Sequence, residues 1–264
     1  MTALATTLSH HEPTPRRERP AAARPGFTLV ELMVVLIIVG MLIGLVTPAV
    51  MLALRKSRNA AIKAEIDMLH MAIMNYKNEY GSFPPCVIGT TVPSRPVKHL
   101  RRVFARLDDS TATAQLNLAA MGGPGDPTCK NSFLLKPETA LVFWLEGYTN
   151  NPLSPLVPAS QRKKLYDFDQ SRKLNDGQNP AKFTGVYHAS GNEAAAYCYL
   201  DCAAAPADLA ATGFSLVVDV SGQPFNPDTF QIFCAGRDGI WGNGDDLSNF
   251  WPGTRQEYED SLKQ

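Results

Sequence analysis

From Leu32 to Leu54 the chain runs for 23 residues without a charged side chain. At about 1.5 Å of helical rise per residue, such a run spans a hydrocarbon core of about 30 Å. Only a helix or a closed barrel satisfies its backbone groups in lipid, so this run predicts one membrane-crossing helix around which the rest must be built. Within "GFTLVELMVVLIIVGMLIGLVTPAV", residues 26 to 50, one acid stands near the start, Glu31. A carboxylate costs roughly 2.5 to 3.5 kcal/mol near the bilayer centre, so a chain that carries one in such a segment generally uses it.

Met1 to Gly26 holds four arginines (Arg16, Arg17, Arg19, Arg24), four prolines and no apolar stretch of signal-peptide type. It reads as a disordered cytoplasmic leader rather than an ordinary secretory signal. Flanking charge does not orient the span, because Arg55, Lys56, Arg58 and Lys63 balance the leader arginines on the far side. Beyond the span, Ile62, Ile66, Leu69, Ile73, Tyr76 and Tyr80 recur at spacings of three and four, a helical stripe that predicts packing against a head domain. The helix should stop at "EYGSFPP", where Gly81 caps it and Pro84-Pro85 forbid continuation. A helix from Thr28 to Tyr80 is on the order of 80 Å long, with a kink expected near Pro48.

Gly26-Phe27-Thr28-Leu29-Val30-Glu31, followed by an apolar helix, resembles the cleavage and methylation segment of type IV prepilins and type II secretion pseudopilins. The resemblance covers about residues 20 to 85 and implies that a prepilin peptidase cuts between Gly26 and Phe27 and N-methylates Phe27. Glycine suits a site where a peptidase must approach the backbone closely. In such filaments the corresponding glutamate is thought to meet the N-terminal amine of a neighbouring subunit, which here implies Glu31 of one chain pairing with Phe27 of the next. The alternative is that Glu31 sits at headgroup level and favours the helix dipole.

Residues 82 to 264 form the head. Irregular Pro- and Gly-rich segments at 84–96, 121–127 and 150–160 read as loops, residues 99–119 and 137–147 as helices, and "FSLVVDVSGQPFN" and "TFQIFCAG" as alternating strands. The expected fold is α+β and pilin-like: a leader over 1–26, a long helix over 27–81 kinked near Pro48, and a small antiparallel β-sheet head with a large loop-rich insertion, residues 86–205. Such a sheet can face the helix on one side and water on the other. All five cysteines (Cys86, Cys129, Cys198, Cys202, Cys234) follow the span, which fits export to an oxidising compartment, and their odd count leaves at least one thiol unpaired within the chain. Cys198-x3-Cys202 with no nearby His reads as structural rather than metal-binding.

The most chemical stretch is "FCAGRDGIWGNGDDLSNFW", residues 233 to 251, where Asp238, Asp245 and Asp246 lie among four glycines. Calcium takes six to eight oxygen ligands, and a glycine-rich acidic loop supplies both carboxylates and carbonyls; an unliganded turn cluster is the alternative. The spacing excludes an EF-hand. Gly236-x-Asp238-Gly239, Asp245-Asp246-Leu247 and Asn249-Phe250-Trp251 resemble the C-terminal calcium loop of the G-type major pseudopilin, which implies Asp238, Asp245 and Asp246 as metal ligands. Cys234 stands where that family often has serine, and the stretch between "SFPP" and Phe214 is much longer here.

Catalytic material is thin. His99 and His188 are the only histidines of the head, no G-x-S-x-G elbow occurs, and Tyr187-His188-Ala189-Ser190-Gly191 reads as a surface turn. Asp167 and Asp169 read as solvated charges. Lys+Arg and Asp+Glu are 25 each, so no basic footprint for nucleic acid exists. The expectation is a non-enzymatic subunit of a pilin-like filament: a type II secretion pseudopilin first, a surface type IV pilin for adhesion, motility or DNA uptake second. A membrane-anchored periplasmic binding or enzymatic domain is the reading from another class. Expected partners are the prepilin peptidase, copies of the chain and other pseudopilins, and an inner-membrane assembly platform. The expected location is the inner membrane with a periplasmic head, then a periplasmic or surface filament.

Overall fold

The computed structural model describes residues 26–89, 92–120, 135–157, 159–174 and 185–263. The expected leader before Gly26, the loop at 121–127 and Cys129 lie outside the described residues. The chain divides into two units, one ending at Leu52 and the other running from Ala53 to Gln264.

Helix α1, Leu29–Tyr80, opens in the first unit. Its apolar residues there are exposed: the most hydrophobic 18-residue window has none of its residues buried, and the helix is long and apolar enough to cross a membrane. Helical structure continues through Pro48. Proline has no N–H to offer the preceding turn, and beside it the Thr47 hydroxyl donates to the Ile43 carbonyl at 2.7 Å.

In the second unit the rest of α1 is a core element. Ile66, Leu69, Ile73 and Tyr76 are fully buried, with Ile62 and Tyr80 packed at the edge of the same core, as the stripe predicts. The helix ends where expected: Gly81 takes φ +79° and its N–H donates to the Lys77 carbonyl at 2.7 Å, a left-handed cap that glycine adopts at little steric cost.

Helices α2, Arg95–Val103, and α3, Asp109–Ala120, pack on each other. They replace the single helical stretch expected over 99–119. Helix α4, Pro137–Leu145, is apolar on nearly all sides and buried along almost its whole length, as a helix enclosed by protein should be. Its Trp144 indole N–H donates to the Pro85 carbonyl at 2.8 Å. Strands β1, Lys173–Leu174, and β2, Val186–Tyr187, form a two-stranded ladder. A second, antiparallel sheet has the order β3-β4-β5, from Tyr197–Asp201, Phe230–Cys234 and Leu247–Ser248. Its register pairs Tyr197 with Cys234, Asp201 with Phe230 and Cys234 with Leu247. Two short helices, α5, Pro206–Ala210, and α6, Arg255–Ser261, complete the unit.

Three details differ from expectation. Every residue of β3 and β4 is buried, because α4 packs on β3 while residues of α1 pack on the sheet, so neither face of these strands meets water. The stretch expected as a strand around residues 214–226 makes only an isolated bridge, Val218 to Pro224. The Gln231 side chain takes the place of a ladder there: its amide accepts from the Val217 N–H at 2.9 Å and donates to the Val217 and Phe225 carbonyls at 2.8 Å. Third, the described cysteines Cys86, Cys198, Cys202 and Cys234 are free thiols. Directly opposed residues share a face and successive residues alternate, so Cys198, opposite Phe233, and Cys234, opposite Tyr197, lie on opposite faces of the sheet.

Candidate functional site

Two regions carry the expected chemistry. At the start of α1, Thr28 precedes the first helical residue and Glu31 stands three residues on. The Glu31 Oε2 accepts from the Thr28 N–H at 2.9 Å and the Thr28 hydroxyl at 2.7 Å, while the Glu31 N–H donates to Thr28 Oγ1 at 3.2 Å. This is a capping box, in which two otherwise unpaired helix donors are satisfied reciprocally. The signal T-x-x-E was present in the sequence, and the reading of Glu31 as an assembly or dipole residue passed over it. Phe27 is 76% exposed. A Cβ added at Gly26 would meet nothing within 4 Å, so contacts among the described residues do not demand glycine there.

The C-terminal loop joins β4 to β5 and α6. Gly236 lets it close, for at φ +31° a Cβ would collide with the carbonyl oxygen and the carboxylate of Asp245. Asp245 Oδ2 accepts from the Arg237 N–H at 2.6 Å and the Asp238 N–H at 3.4 Å. Asp238 accepts from the Ile240 N–H at 2.8 Å through Oδ1 and from the Asn243 amide at 2.6 Å through Oδ2. Asp246 Oδ2 accepts from the Gly242 N–H at 2.8 Å, whereas its Oδ1 is buried without a hydrogen-bond partner. Burial, aided by Asp245, pushes the Asp246 carboxyl up to about 6 despite the Gly242 hydrogen bond.

Among the described residues no three His, Cys, Asp or Glu side chains are disposed as a ready metal-binding group. The loop instead gathers carboxylates in which Asp238 Oδ1, Asp238 Oδ2 and Asp246 Oδ2 each accept one of these hydrogen bonds and Asp245 Oδ2 accepts two. A carboxylate oxygen offers two lone pairs, so these groups keep capacity for a cation, and the orphaned Asp246 Oδ1 is the atom a cation would satisfy.

The other singled-out residues are structural in setting. His188 does not lie on a surface turn: it is buried, and its carbonyl accepts from Arg172 Nε at 2.8 Å. His99 is buried with Nε2 2.6 Å from the Tyr76 hydroxyl, which also bonds the Tyr148 hydroxyl. Asp169 caps a 3-10 turn by accepting from the Ser171 N–H at 3.0 Å, and Asp167 is exposed.

A residue missed from the sequence joins α1 to the sheet. Glu65, buried on α1, takes a two-pronged ion pair from Arg172 at 2.8 and 2.5 Å and accepts the hydroxyls of Tyr187 at 2.8 Å and Tyr197 at 2.5 Å. It lies three residues after Ile62 and four before Leu69, inside the apolar stripe, and that position was the available signal.

The architecture is that of a pilin-like α+β protein: a long N-terminal helix, apolar at its start, and a small antiparallel sheet. Residues 22–47 match the prokaryotic N-terminal methylation motif, the signature of type IV pilins and pseudopilins, which implies prepilin processing and filament assembly in general. Neither a curated protein nor a solved structure matches the chain.

Proposed function

We propose that this chain is a structural subunit of a type II secretion pseudopilin filament, held in the inner membrane with its head in the periplasm until assembly. The observation that carries the reading is the methylation motif at 22–47 set on an apolar helix whose span is wholly exposed. Such a surface requires a non-aqueous neighbour, first lipid and then other helices. The prepilin peptidase cuts between Gly26 and Phe27 and methylates Phe27, and the inner-membrane platform then adds the subunit to copies of itself and to other pseudopilins. Glu31 meets the Phe27 amine of a neighbour. Its capping box is compatible with this, because each carboxylate oxygen has two lone pairs.

In this reading Asp238, Asp245 and Asp246 hold calcium, with Asp246 Oδ1 as the anchor. The cation supplies charge to an acidic turn and ties β4 to β5; it takes part in no reaction. The resemblance of this loop to that of the G-type major pseudopilin favours secretion over a surface pilus.

Intact-mass and N-terminal peptide spectrometry on membrane and sheared-filament fractions tests the processing. A chain starting at methylated Phe27 is expected, and one retaining Met1–Gly26 refutes the reading. Glu31→Ala should insert into the membrane yet fail to enter filaments, and normal incorporation rejects the pairing. Replacing Asp245 and Asp246 together by alanine should abolish any calcium-dependent rise in Tm, whereas an unchanged calcium response rejects the metal site.

A further inference from the structure

The second unit opens with three cations in four residues. Arg55, Lys56 and Arg58 are exposed, and no described residue pairs with them. The next cation, Lys63, is differently placed: its ammonium donates to the Ser248 carbonyl at 2.6 Å and the Trp251 carbonyl at 3.2 Å, with Asp67 at 3.6 Å. Lys63 therefore serves the fold, and the first three do not.

At about 100° per residue, side chains at 55, 56 and 58 fan over nearly half of the helix circumference. They follow the last residue of the uncharged run directly. On the proposed orientation this is the exported side, where basic residues oppose the usual bias toward cytoplasmic Lys and Arg. A cluster that runs against that bias, with no partner among the described residues, calls for an anion at the depth where the helix leaves the hydrocarbon. Phospholipid phosphates lie there, and long basic side chains reach them while their stems cover apolar surface. The chain as a whole offers no general attraction, since its 25 basic and 25 acidic residues cancel.

We propose that Arg55, Lys56 and Arg58 form a collar that binds the phosphate groups of anionic phospholipids in the leaflet beneath the head. The inference rests on the membrane-spanning reading of α1. The collar fixes the depth at which the subunit waits, and its contacts must be given up when the subunit is drawn into a filament.

The test uses the full chain in phosphatidylcholine vesicles containing a minor share of phosphatidylglycerol, compared with a variant carrying Arg55→Gln, Lys56→Gln and Arg58→Gln. Spin-labelled lipids report which headgroup is held at the protein surface. Each basic residue near an anionic surface contributes on the order of five-fold. The wild-type chain should prefer phosphatidylglycerol by about five-fold or more at low salt, and the preference should fade as the Debye length shrinks to about 3 Å near 1 M salt. The variant should show near parity. An equal preference in both chains, or none in the wild type, overturns the proposal. Alkaline extraction of the same vesicles separates the two levels: a chain washed out by alkali refutes the span and the collar together, whereas a chain that stays embedded without lipid preference refutes the collar alone. Loss of chain-to-chain cross-links in the variant with lipid preference intact would assign the cations to a neighbouring copy and also overturn it.

Discussion

Glu65→Ala is the substitution whose cost can be worked most directly from the geometry. The carboxylate is buried and receives four hydrogen bonds, two from Arg172 and one each from Tyr187 and Tyr197. Burial opposes the Arg172 charge, yet the Glu65 hydrogen bond and charge outweigh it and hold the guanidinium above its ordinary range. Arg172 also stands over the Tyr187 ring, 4.5 Å from its centroid. Truncating Glu65 leaves a partly buried cation and two hydroxyls without their acceptor. Removing one partner of a buried ion pair costs about 3–5 kcal/mol. Orphaned hydroxyls each add about 1–3 kcal/mol when water cannot replace the partner. These terms overlap, because Arg172 can retain the His188 carbonyl at 2.6 Å, so about 3–5 kcal/mol is the expected total.

Denaturant and thermal unfolding of the detergent-solubilised chain, followed by near-ultraviolet circular dichroism of the tyrosines, measures it. At about 2–4 °C per kcal/mol for a domain of this size, Tm should fall by roughly 6–20 °C. Glu65→Gln keeps an acceptor and loses the charge, and should cost about 1–3 kcal/mol. Glu65→Leu combined with Arg172→Met should recover much of the loss, since removing both ions also removes their desolvation cost. A Glu65→Ala loss below about 1 kcal/mol, or a double variant worse than the single, would refute the view that this ion pair and its tyrosines lock α1 to the sheet.

Stability should also fall in mild acid through His99. Burial, with Arg102 and Arg95 nearby, pushes its imidazole from 6.5 down to about 3, so between these values the unfolded chain binds a proton that the folded chain refuses. Stability from this group is full above pH 6.5 and declines as pH falls toward 3, by up to about 1.4 kcal/mol per unit; unfolding titrations should show the slope, and His99→Gln should flatten it. Thiol reactivity should follow burial: Cys202, pushed up to about 11 and partly exposed, should alkylate slowly near pH 8, while Cys86, pushed up to about 12 and fully buried, should alkylate only after denaturation. Residue-resolved mass spectrometry reads both, and rapid native labelling of Cys86 would contradict its placement.

The elements legible in the sequence are those set by local periodicity. The stripe from Ile62 to Tyr80 predicted which side of α1 is buried, and Gly81 predicted its end, because a helix repeats every 3.6 residues and its caps are short-range. The strands were less legible. β3 reads "YCYLD" with every residue buried, so enclosure by α4 and α1 erases the alternation that betrays a half-exposed strand. The stretch near Val217 alternates well and still is not a strand, since the amide that receives its backbone belongs to Gln231. Likewise, nothing local links Glu65 to Arg172, 107 residues away.

The two glutamates of α1 differ in how far their oxygens are committed within their own chain. Glu65 has both oxygens committed inside its own chain, each receiving one nitrogen donor and one tyrosine hydroxyl. Glu31 is satisfied only through Oε2, by Thr28, and among the described residues nothing donates to its Oε1. Its surroundings are the exposed apolar residues of the span rather than a packed core. A carboxylate already holding a cap hydrogen bond is fixed in direction, so the side chain loses less rotamer freedom when a further donor arrives. On the proposed pairing, the capping box does more than start the helix: it holds the carboxylate in place for the neighbour's amine. Thr28→Val should test this apart from the charge, because Glu31 remains while the hydroxyl that orients it is lost. If filament incorporation depends only on a carboxylate at position 31, Thr28→Val should incorporate normally; if orientation matters, it should fall between wild type and Glu31→Ala.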